Sequence, residues 1–326
     1  MGATLKEIAL KVGVNVSTVS RVLNNRGYIS KDLRDRVDRA ITELDYHPNE
    51  IARSLFRKKS NVIGLVIPTV AHPFFGELCE SIEKCAYQKN YRVLICNSQH
   101  ERDKENSYLK LLRANQVDGI ILGSHTLDVS AFITDRPPLV TIDRRVDSET
   151  PFVSSDNYSG GRLATELLIS KGCKKLALIM GNRSLPMLAN LRADAFEDIT
   201  TAYNIPHVTM QTHIMGFDPI DYDEITNRLL REHPDVDGIF TTSDLIASHV
   251  MRICQNAGKR IPEDIKIIGY DGVFFGELIS PQLTTIRQPI PEMGALAFEL
   301  LFRLIDKLPV SQENTLPVSL IERGST

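Results

Sequence analysis

From residue 62 onward, short apolar segments alternate with amphipathic helical patterns, and this alternation constrains the fold most strongly. Val62–Ile67 is a β-branched run, and residues 75–89 then repeat apolar positions at helical spacing. Comparable strand-like segments follow at residues 93–96, 119–122, 139–142, 176–180, 208–212, 238–242, 265–269 and 284–286. Continuous apolar strands separated by helices are typical of parallel sheets buried on both faces. The two successive series therefore predict two α/β lobes, with a last helix at residues 291–307.

The loops that follow these strands contain the candidate ligand-binding side chains. Ligands of open parallel sheets bind beyond the carboxyl ends of the strands, so two facing lobes predict a cleft between them. Carboxylates, an arginine and amides beside aromatic rings suit a polyhydroxylated ligand. An aspartate in such a loop is also a common helix cap, and Ser155 and Asp156 have the position to cap the helix that follows them.

The first 60 residues differ from the rest of the chain in charge. They hold 12 Lys and Arg against 7 Asp and Glu, whereas the remaining residues hold 26 against 34. A basic segment on an acidic body favours contact between that segment and a polyanion, although a merely solvated surface has the same composition.

This basic segment has the pattern of a small three-helix domain. Thr4 and Glu7 have the spacing of a capping box, and Gly13 ends the first helix. Asn15 then caps a second helix with one apolar side and one side of short polar residues, and a third helix fits residues 31–44. Two short helices joined through a glycine turn and braced by a third form a helix-turn-helix, whose second helix enters the major groove. Other small three-helix bundles share this pattern.

The assembled residue string decides between these possibilities. The string is Ile8-Ala9, Gly13-Val14 and then Thr18-Val19-Ser20-Arg21-Val22-Leu23-Asn24, continuing through residues 44–55. It resembles the DNA-binding head of the LacI/GalR family of bacterial repressors, and the body resembles the family's effector domain. The resemblance implies an all-α helix-turn-helix head plus an α/β two-lobed periplasmic-binding-protein-like body with parallel sheets. The implied domains are residues 1–47 (helix-turn-helix), 48–59 (hinge helix and linker) and 60–326 (effector binding and dimerisation), with lobes of about 60–158 plus 289–320 and about 159–288.

The resemblance also implies which residues contact DNA. Two subunits of the family bind the operator side by side, and residues 49–56 would form a hinge helix in the minor groove. Leu55 would be the apolar wedge in a base step, and Ala52 would face the groove floor. The implied DNA contacts are Thr4, Asn15, Val16, Ser17, Thr18, Ser20, Arg21, Asn24, Tyr46, Asn49, Ala52 and Leu55.

In the body, the resemblance implies contacts to a sugar-type effector. These are Phe74, Phe75, Asp143, Arg144, Arg192, Asp244, Asp271 and Gln288. Many family members have Asn-Asp where this chain has Ser243-Asp244, which changes the amide contact at that position. Residues 153–169 and 171–175 are most similar to members that control sucrose operons in Gram-positive bacteria. The implied effector is fructose, sucrose or a phosphorylated form, with Arg144 or Arg183 as candidate phosphate contacts.

The implied function is a homodimeric repressor that binds a palindromic operator and responds to a sugar, without a cofactor, a metal or a catalytic residue. The N-terminus lacks the apolar core of a secretory signal, and five scattered cysteines indicate reduced thiols, so a cytoplasmic location without membrane attachment is expected. One alternative is a global catabolite regulator that answers to a phosphocarrier protein. A sugar-binding receptor and a sugar-acting enzyme are alternatives of another class, although no G-x-G-x-x-G, G-x-S-x-G or H-E-x-x-H motif supports an enzyme.

Overall fold

The computed structural model describes residues 3–23, 27–46, 59–124, 137–184, 187–212 and 219–326. The chain divides into two compact units, Met1–Ser60 and Asn61–Thr326, and each is described by itself. None of the helices in the described ranges has the length and apolar character needed to cross a membrane.

The first unit is helical throughout its described elements. Its helices are α1 (Leu5–Val12), α2 (Val16–Leu23) and α3 (Lys31–Glu43). The predicted capping box is confirmed at the start of α1, where Thr4 Oγ accepts a hydrogen bond from the Glu7 amide and the Glu7 carboxylate accepts one from the Thr4 amide. Helix α1 ends at Gly13, whose φ of 73° lies in the left-handed region that glycine adopts at little cost. The apolar sides of the three helices form one core around Ile8 and Val19.

The second unit contains two six-stranded sheets. Its strands are β1 (Val62–Ile67), β2 (Arg92–Asn97), β3 (Gly119–Leu122), β4 (Leu139–Ile142), β5 (Phe152–Ser155), β6 (Leu176–Met180), β7 (His207–Gln211), β8 (Gly238–Thr241), β9 (Lys266–Asp271), β10 (Thr284–Arg287), β11 (Glu313–Leu316) and β12 (Ser319–Ile321). The first sheet has the order β11-β5-β4-β3-β1-β2, and the second has the order β12-β10-β9-β8-β6-β7. Every pair is parallel except β10 with β12.

Helices cover both faces of each sheet, as continuous apolar strands require. They are α4 (Pro73–Gln88), α5 (Arg102–Ala114), α6 (Asn157–Ser170), α7 (Leu191–Ala202), α8 (Pro219–Glu232), α9 (Asp244–Asn256) and α10 (Ile290–Ile305). In β1, Leu65 joins the core beneath α4 and α10, whereas Val66 joins the core beneath α5. In β6, Leu178 packs with α6 and α7, and Ile179 packs with α8 and α9. The predicted two-lobed body with parallel sheets is confirmed.

The chain passes between the two sheets three times. It moves to the second sheet after β5, returns through α10 after β10, and enters the second sheet again between β11 and β12. Strands β11 and β12 are edge strands separated by two residues, and Ser319–Ile321 lies in the second sheet, whereas the sequence assigned residues up to about 320 to the first lobe. These crossings bring the carboxyl ends of strands from both sheets to one cavity.

Candidate functional site

A cavity of about 160 Å³ lies between the strand ends of the two sheets in the second unit. Its polar lining residues are His72, His100, Asp143, Asn182, Asn190, Arg192, Thr242, Ser243, Asp271 and Gln288. Its apolar lining comes from Phe74, Phe75, Ile142, Met180, Met187, Ala189, Tyr222 and Ile246. Six of the eight effector residues expected from the sequence therefore line one cavity, namely Phe74, Phe75, Asp143, Arg192, Asp271 and Gln288.

Arg192 is the central cation of this cavity and is only 5% exposed. It lies in the first turn of α7, where its Nε donates to Asn157 Oδ1 at 2.7 Å and its Nη1 donates to the Thr242 carbonyl at 2.8 Å. Its guanidinium carbon lies 3.7 Å from the centroid of the Tyr270 ring. These contacts fix the plane of the guanidinium before any ligand arrives, which is the arrangement that binding sites use to limit ordering costs.

Asp271 ends β9 and lies beside Arg192, with 3.9 Å between Arg192 Nη1 and Asp271 Oδ1. Gln288 Nε2 donates to the same oxygen at 2.7 Å, while Gln288 Oε1 accepts from Ser155 Oγ at 2.7 Å. Among the described residues, none bonds the buried Oδ2 of Asp271. Burial raises the pKa of Asp271 well above its usual range, against the opposing effect of Arg192. Oδ2 is thus available to a ligand hydroxyl, because a buried polar atom without a partner is costly.

Asp143 is fixed through Asn157, the first residue of α6. Asp143 Oδ1 accepts from Ser154 Oγ at 2.6 Å and from Asn157 Nδ2 at 3.1 Å. Since Asn157 Oδ1 accepts from Arg192, this one amide joins a carboxylate after β4 to the cation on α7. The φ of Asp143 is 50°, a left-handed conformation that aspartate tolerates better than most residues.

The first lobe adds an aromatic and imidazole wall to the cavity. The rings of Phe74 and Phe75 lie 5.1 Å apart, centroid to centroid, in an edge-to-face arrangement. His72, only 4% exposed, lies edge-on to Phe75 at 5.8 Å. Burial, with the nearby charge of Arg192 and then His100, lowers the pKa of His72 to about 4. Burial also lowers the pKa of His100. Both imidazoles are therefore neutral at physiological pH.

Two expected effector residues, Arg144 and Asp244, lie away from the cavity wall. Arg144 Nη1 donates to the Ser124 carbonyl at 3.2 Å. Asp244 Oδ2 accepts the amides of Gly272 and Val273 at 2.8 and 2.9 Å. Its Oδ1 accepts from the Thr285 hydroxyl at 2.6 Å.

The packing around Asp244 explains its position. A Cβ atom at Gly269 would lie 2.3 Å from Asp244 Oδ1, so only glycine leaves room for this carboxylate. Burial raises the pKa of Asp244 to about 7. Asp244 thus organises the loop after β9, while its neighbour Ser243 lines the cavity.

The candidate phosphate contact Arg183 is also engaged elsewhere. Its guanidinium forms ion pairs with Asp194 and with Glu197, the latter at 2.9 Å from Nη1.

The expected cap at Asp156 is confirmed, because its Oδ1 accepts from the Ser159 amide at 3.0 Å. In the part of the chain that the structure describes, no cluster of three or more His, Cys, Asp or Glu side chains is arranged to hold a metal ion.

The sequence did not single out several cavity residues. His100, Asn182, Asn190 and Tyr222 come from loops or helices whose local patterns resemble ordinary surface or core segments. His72 is the exception, because it lies two residues before Phe74, which the sequence already indicated as an effector contact. For His100, the sequence offered one indication: the residue lies in a loop beyond the end of a strand, where ligands of parallel sheets bind.

In the first unit, α2 presents the side predicted to read DNA. Val16, Ser17 and Arg21 are exposed, whereas Val19 and Val22 are buried in the head core. This division agrees with a recognition helix whose short polar side enters a groove.

The other expected DNA-contacting residues have different surroundings. Asn15 Oδ1 accepts from the Thr18 amide at 3.0 Å and from the hydroxyls of Ser17 and Thr18 at 2.8 and 2.6 Å. Ser20 is partly buried, and Tyr46 packs against the head core. Asn24, Asn49, Ala52 and Leu55, together with the expected hinge at residues 49–56, lie outside the described residues.

Comparisons with known proteins agree with both units. The sequence is 38% identical over 324 residues to a ribose operon repressor of Halalkalibacterium halodurans, covering 99% of this chain and 97% of the relative. It is also 38% identical over 325 residues to a sucrose operon repressor of Streptococcus mutans, covering all of both chains. These relatives are transcriptional repressors and not enzymes.

Solved structures show the same fold. The lac repressor dimer bound to operator and the anti-inducer ONPF superposes with a TM-score of 0.88 at 27% identity, covering 100% of this chain and 99% of that one. A LacI transcriptional regulator from Alkaliphilus metalliredigens, complexed with D-xylulofuranose, superposes with a TM-score of 0.75 at 32% identity, covering 82% of this chain and 99% of that one.

Family models match both parts of the chain. Residues 4–49 match the model for bacterial regulatory proteins of the lacI family, and residues 165–326 match the periplasmic binding protein-like domain. Together with the full-length relatives, these matches show that the chain belongs to the LacI family of bacterial regulatory proteins.

Proposed function

We propose that this chain is a sugar-responsive transcriptional repressor that binds a palindromic operator as a homodimer. One observation carries the proposal: a helix-turn-helix with an exposed polar recognition side occurs in the same chain as a cavity of buried, mutually bonded polar side chains. The homodimer follows from the small size of one head, since paired heads on half-sites about one helical turn apart double the contact with DNA. Such a repressor acts in the cytoplasm, where its operator lies.

The effector of this repressor is a sugar. Ring hydroxyls match the carboxylates of Asp143 and Asp271 and those N–H donors of Arg192 that do not bond to Asn157 or Thr242, while Phe74 and Phe75 cover an apolar ring face. The cavity of about 160 Å³ is smaller than the roughly 300–1,000 Å³ of pockets for drug-sized ligands, which favours one sugar ring over two. A pentose such as ribose, or fructose as one half of sucrose, fits this size and the names of the relatives.

The sugar acts by selecting one arrangement of the two lobes. A ligand held between Asp143 of one lobe and Asp271 of the other stabilises their closed arrangement, and only a state-dependent affinity shifts the equilibrium. Linkage then requires that operator DNA changes sugar affinity by the same factor by which sugar changes operator affinity.

Operator selection from a random duplex library, followed by anisotropy titrations with and without sugars, tests this function. We expect a near-palindromic site, an affinity that falls steeply with salt, and a change in affinity with one sugar. Failure to select any DNA site would contradict the repressor. Operator affinity that responds to a phosphocarrier protein and to no sugar would instead support a global catabolite regulator.

A further inference from the structure

His72 and His100 both line the first-lobe side of the cavity. They follow β1 and β2, which are adjacent parallel strands with Ile67 in register with Asn97. The loops after these strands are bonded together, because the Ser98 amide donates to the Ile67 carbonyl at 2.8 Å and the Gln99 amide donates to the Pro68 carbonyl at 2.7 Å. Two loops held in this way present both imidazoles to the same part of a ligand.

The state of charge of this wall is set by its surroundings. His72 is buried and faces Arg192 and His100, and both groups disfavour a second positive charge there. A neutral imidazole has one N–H donor and one acceptor nitrogen, and a hydroxyl group can accept from the first or donate to the second. The pair is therefore suited to ring hydroxyls, and it offers no fixed positive charge to an anion.

The rest of the cavity offers an anion little more. Among the described lining residues, Arg192 is the one lysine or arginine, and Asn157, Thr242 and Tyr270 already hold its guanidinium. Asp271 lies 3.9 Å from that guanidinium.

The two arginines considered as phosphate contacts lie outside the lining. Arg144 bonds to a backbone carbonyl, and Arg183 is paired with two carboxylates. A phosphate group has a charge of roughly −1.5 to −2 at neutral pH and would enter beside Asp143 and Asp271. Burial of an unpaired charge is expensive, so the lining disfavours a sugar phosphate.

We propose that His72 and His100 determine effector specificity, and that this cavity takes an uncharged sugar and rejects its phosphate ester. The inference rests on the proposed function, because it specifies the chemical class of the effector at the same cavity. It removes the phosphorylated forms from the candidate sugars.

Calorimetric titration of the full chain with ribose, fructose, ribose 5-phosphate and fructose 6-phosphate tests the ligand class. We expect one uncharged sugar to bind and its phosphate to bind at least about 100-fold more weakly, since the one cation among the described lining residues, Arg192, already bonds to Asn157 and Thr242. A phosphate ester that binds as tightly as the free sugar, or more tightly, would overturn the inference while leaving the repressor function intact. If a broader panel of sugars and esters gives no binding although operator binding persists, the proposed sugar response fails and the inference falls with it.

Variants of the histidines test their role. His72→Phe and His100→Phe keep an aromatic ring but remove both nitrogens, and each should lower sugar affinity roughly 10-fold or more through a lost hydrogen bond. His207→Phe, on an exposed residue of β7 outside the cavity lining, is the matched control and should bind sugar as the parent does. Unchanged affinity in both cavity variants would contradict the inference.

A variant that introduces a charge distinguishes an effect on ligand specificity from the effect of a packing defect. His100 is only partly buried, so His100→Lys places a cation on the wall with the least disturbance. It should narrow the preference for the free sugar over its phosphate, a ratio that a packing defect alone would leave unchanged. His72→Gln, which keeps a donor and an acceptor, should retain more sugar affinity than His72→Phe, and the opposite order would overturn the assigned role.

Discussion

The head and the body use polar side chains in opposite ways. On α2, Ser17 and Arg21 are exposed over an apolar core, so this surface is hydrated until a partner binds. In the cavity, Arg192 and Asp271 are 5% and 3% exposed and held by neighbouring groups before a ligand arrives. Charge attraction therefore governs the head, whereas a preorganised set of hydrogen bonds governs the cavity.

This difference predicts that the two activities can be removed one at a time. A change on α2 removes contacts to DNA without disturbing any core, whereas a change in the cavity leaves neighbouring buried groups without partners. Two experiments test this separation directly, and two more compare the stability of the body and the head, in order of decreasing expected effect.

Replacement of Arg21 by Ala should abolish operator binding and leave sugar affinity unchanged. Arg21 is exposed, and a base contact of this kind is worth about 1–3 kcal/mol in each head, so a dimer loses it twice. Anisotropy titration measures DNA affinity, and calorimetry measures sugar affinity in the same preparation. Lys6→Ala, on an exposed residue of α1, is the control for charge removal alone. Tight operator binding by the Arg21 variant would contradict the assignment of α2 to the groove.

Replacement of Arg192 by Leu should have the reverse effect. We expect a loss of sugar affinity of about 2–5 kcal/mol, because Asp271 would lose its nearby cation. Arg192→Lys keeps the charge but loses the planar contact with Tyr270 and one of the two fixed hydrogen bonds, so it should recover only part of the affinity. Calorimetry measures both variants. If Arg192→Leu still binds sugar like the parent, the cavity is not the effector site.

The contribution of Asp244 to the stability of the body should decrease as the pH rises from about 4 to 8, whereas the lowered pKa of His72 acts in the opposite direction below about pH 6.5. Burial raises the pKa of Asp244 from 3.8 to about 7 in the folded protein. A group with a raised folded pKa contributes stability that is full below the unfolded pKa and is lost as the pH passes the folded pKa. Burial of Asp271 acts in the same direction.

Urea unfolding of the body across this pH range measures the effect. Asp244→Asn fits the same space and still accepts the amides of Gly272 and Val273, but it cannot ionise. Its unfolding free energy should therefore fall less as the pH rises through about 7 than that of the parent. Equal slopes in parent and variant would show that Asp244 does not titrate with folding.

The smallest expected effect lies in the head. Thr4→Ala removes the capping box of α1 and should destabilise that helix by about 1 kcal/mol. Hydrogen exchange of the α1 amides measures this locally. Thr42→Ala, on an exposed residue whose hydroxyl bonds within its own helix, is the matched control. Unchanged exchange in α1 would mean that packing against α2 and α3 determines its stability.

Local sequence patterns were sufficient to predict most helices and strands, but not all of them. Strand β1 was predicted at Val62–Ile67, the same bounds as in the structure, because its residues are apolar on both faces. Strands β5, β11 and β12 were missed. Strand β5 is four residues long and ends in two serines, and the edge strands β11 and β12 contain polar residues such as Glu313 and Asn314. Pairing with distant strands, rather than local propensity, determines these segments.

The cavity was predictable only in part for a related reason. The strand ends of two facing lobes predicted a cleft, and Asp143 and Asp271, which belong to different sheets, both line it. The same reasoning selected Asp244 and missed His100, since position in a loop does not determine whether a side chain points into the cavity or towards backbone amides. The link from Asp143 through Asn157 to Arg192 depends on three segments that are far apart in sequence.

The position of the two edge strands has a consequence for protein synthesis. The head is complete once residue 46 has left the ribosome, since its described core needs no later residue. The first sheet of the body lacks an edge strand until Glu313–Leu316 has been translated, and the second lacks one until Ser319–Ile321 has been translated. The elements of the DNA-binding head are therefore translated long before those of the sensor are complete, and a premature stop before codon 316 would leave the sheets of both lobes unfinished together.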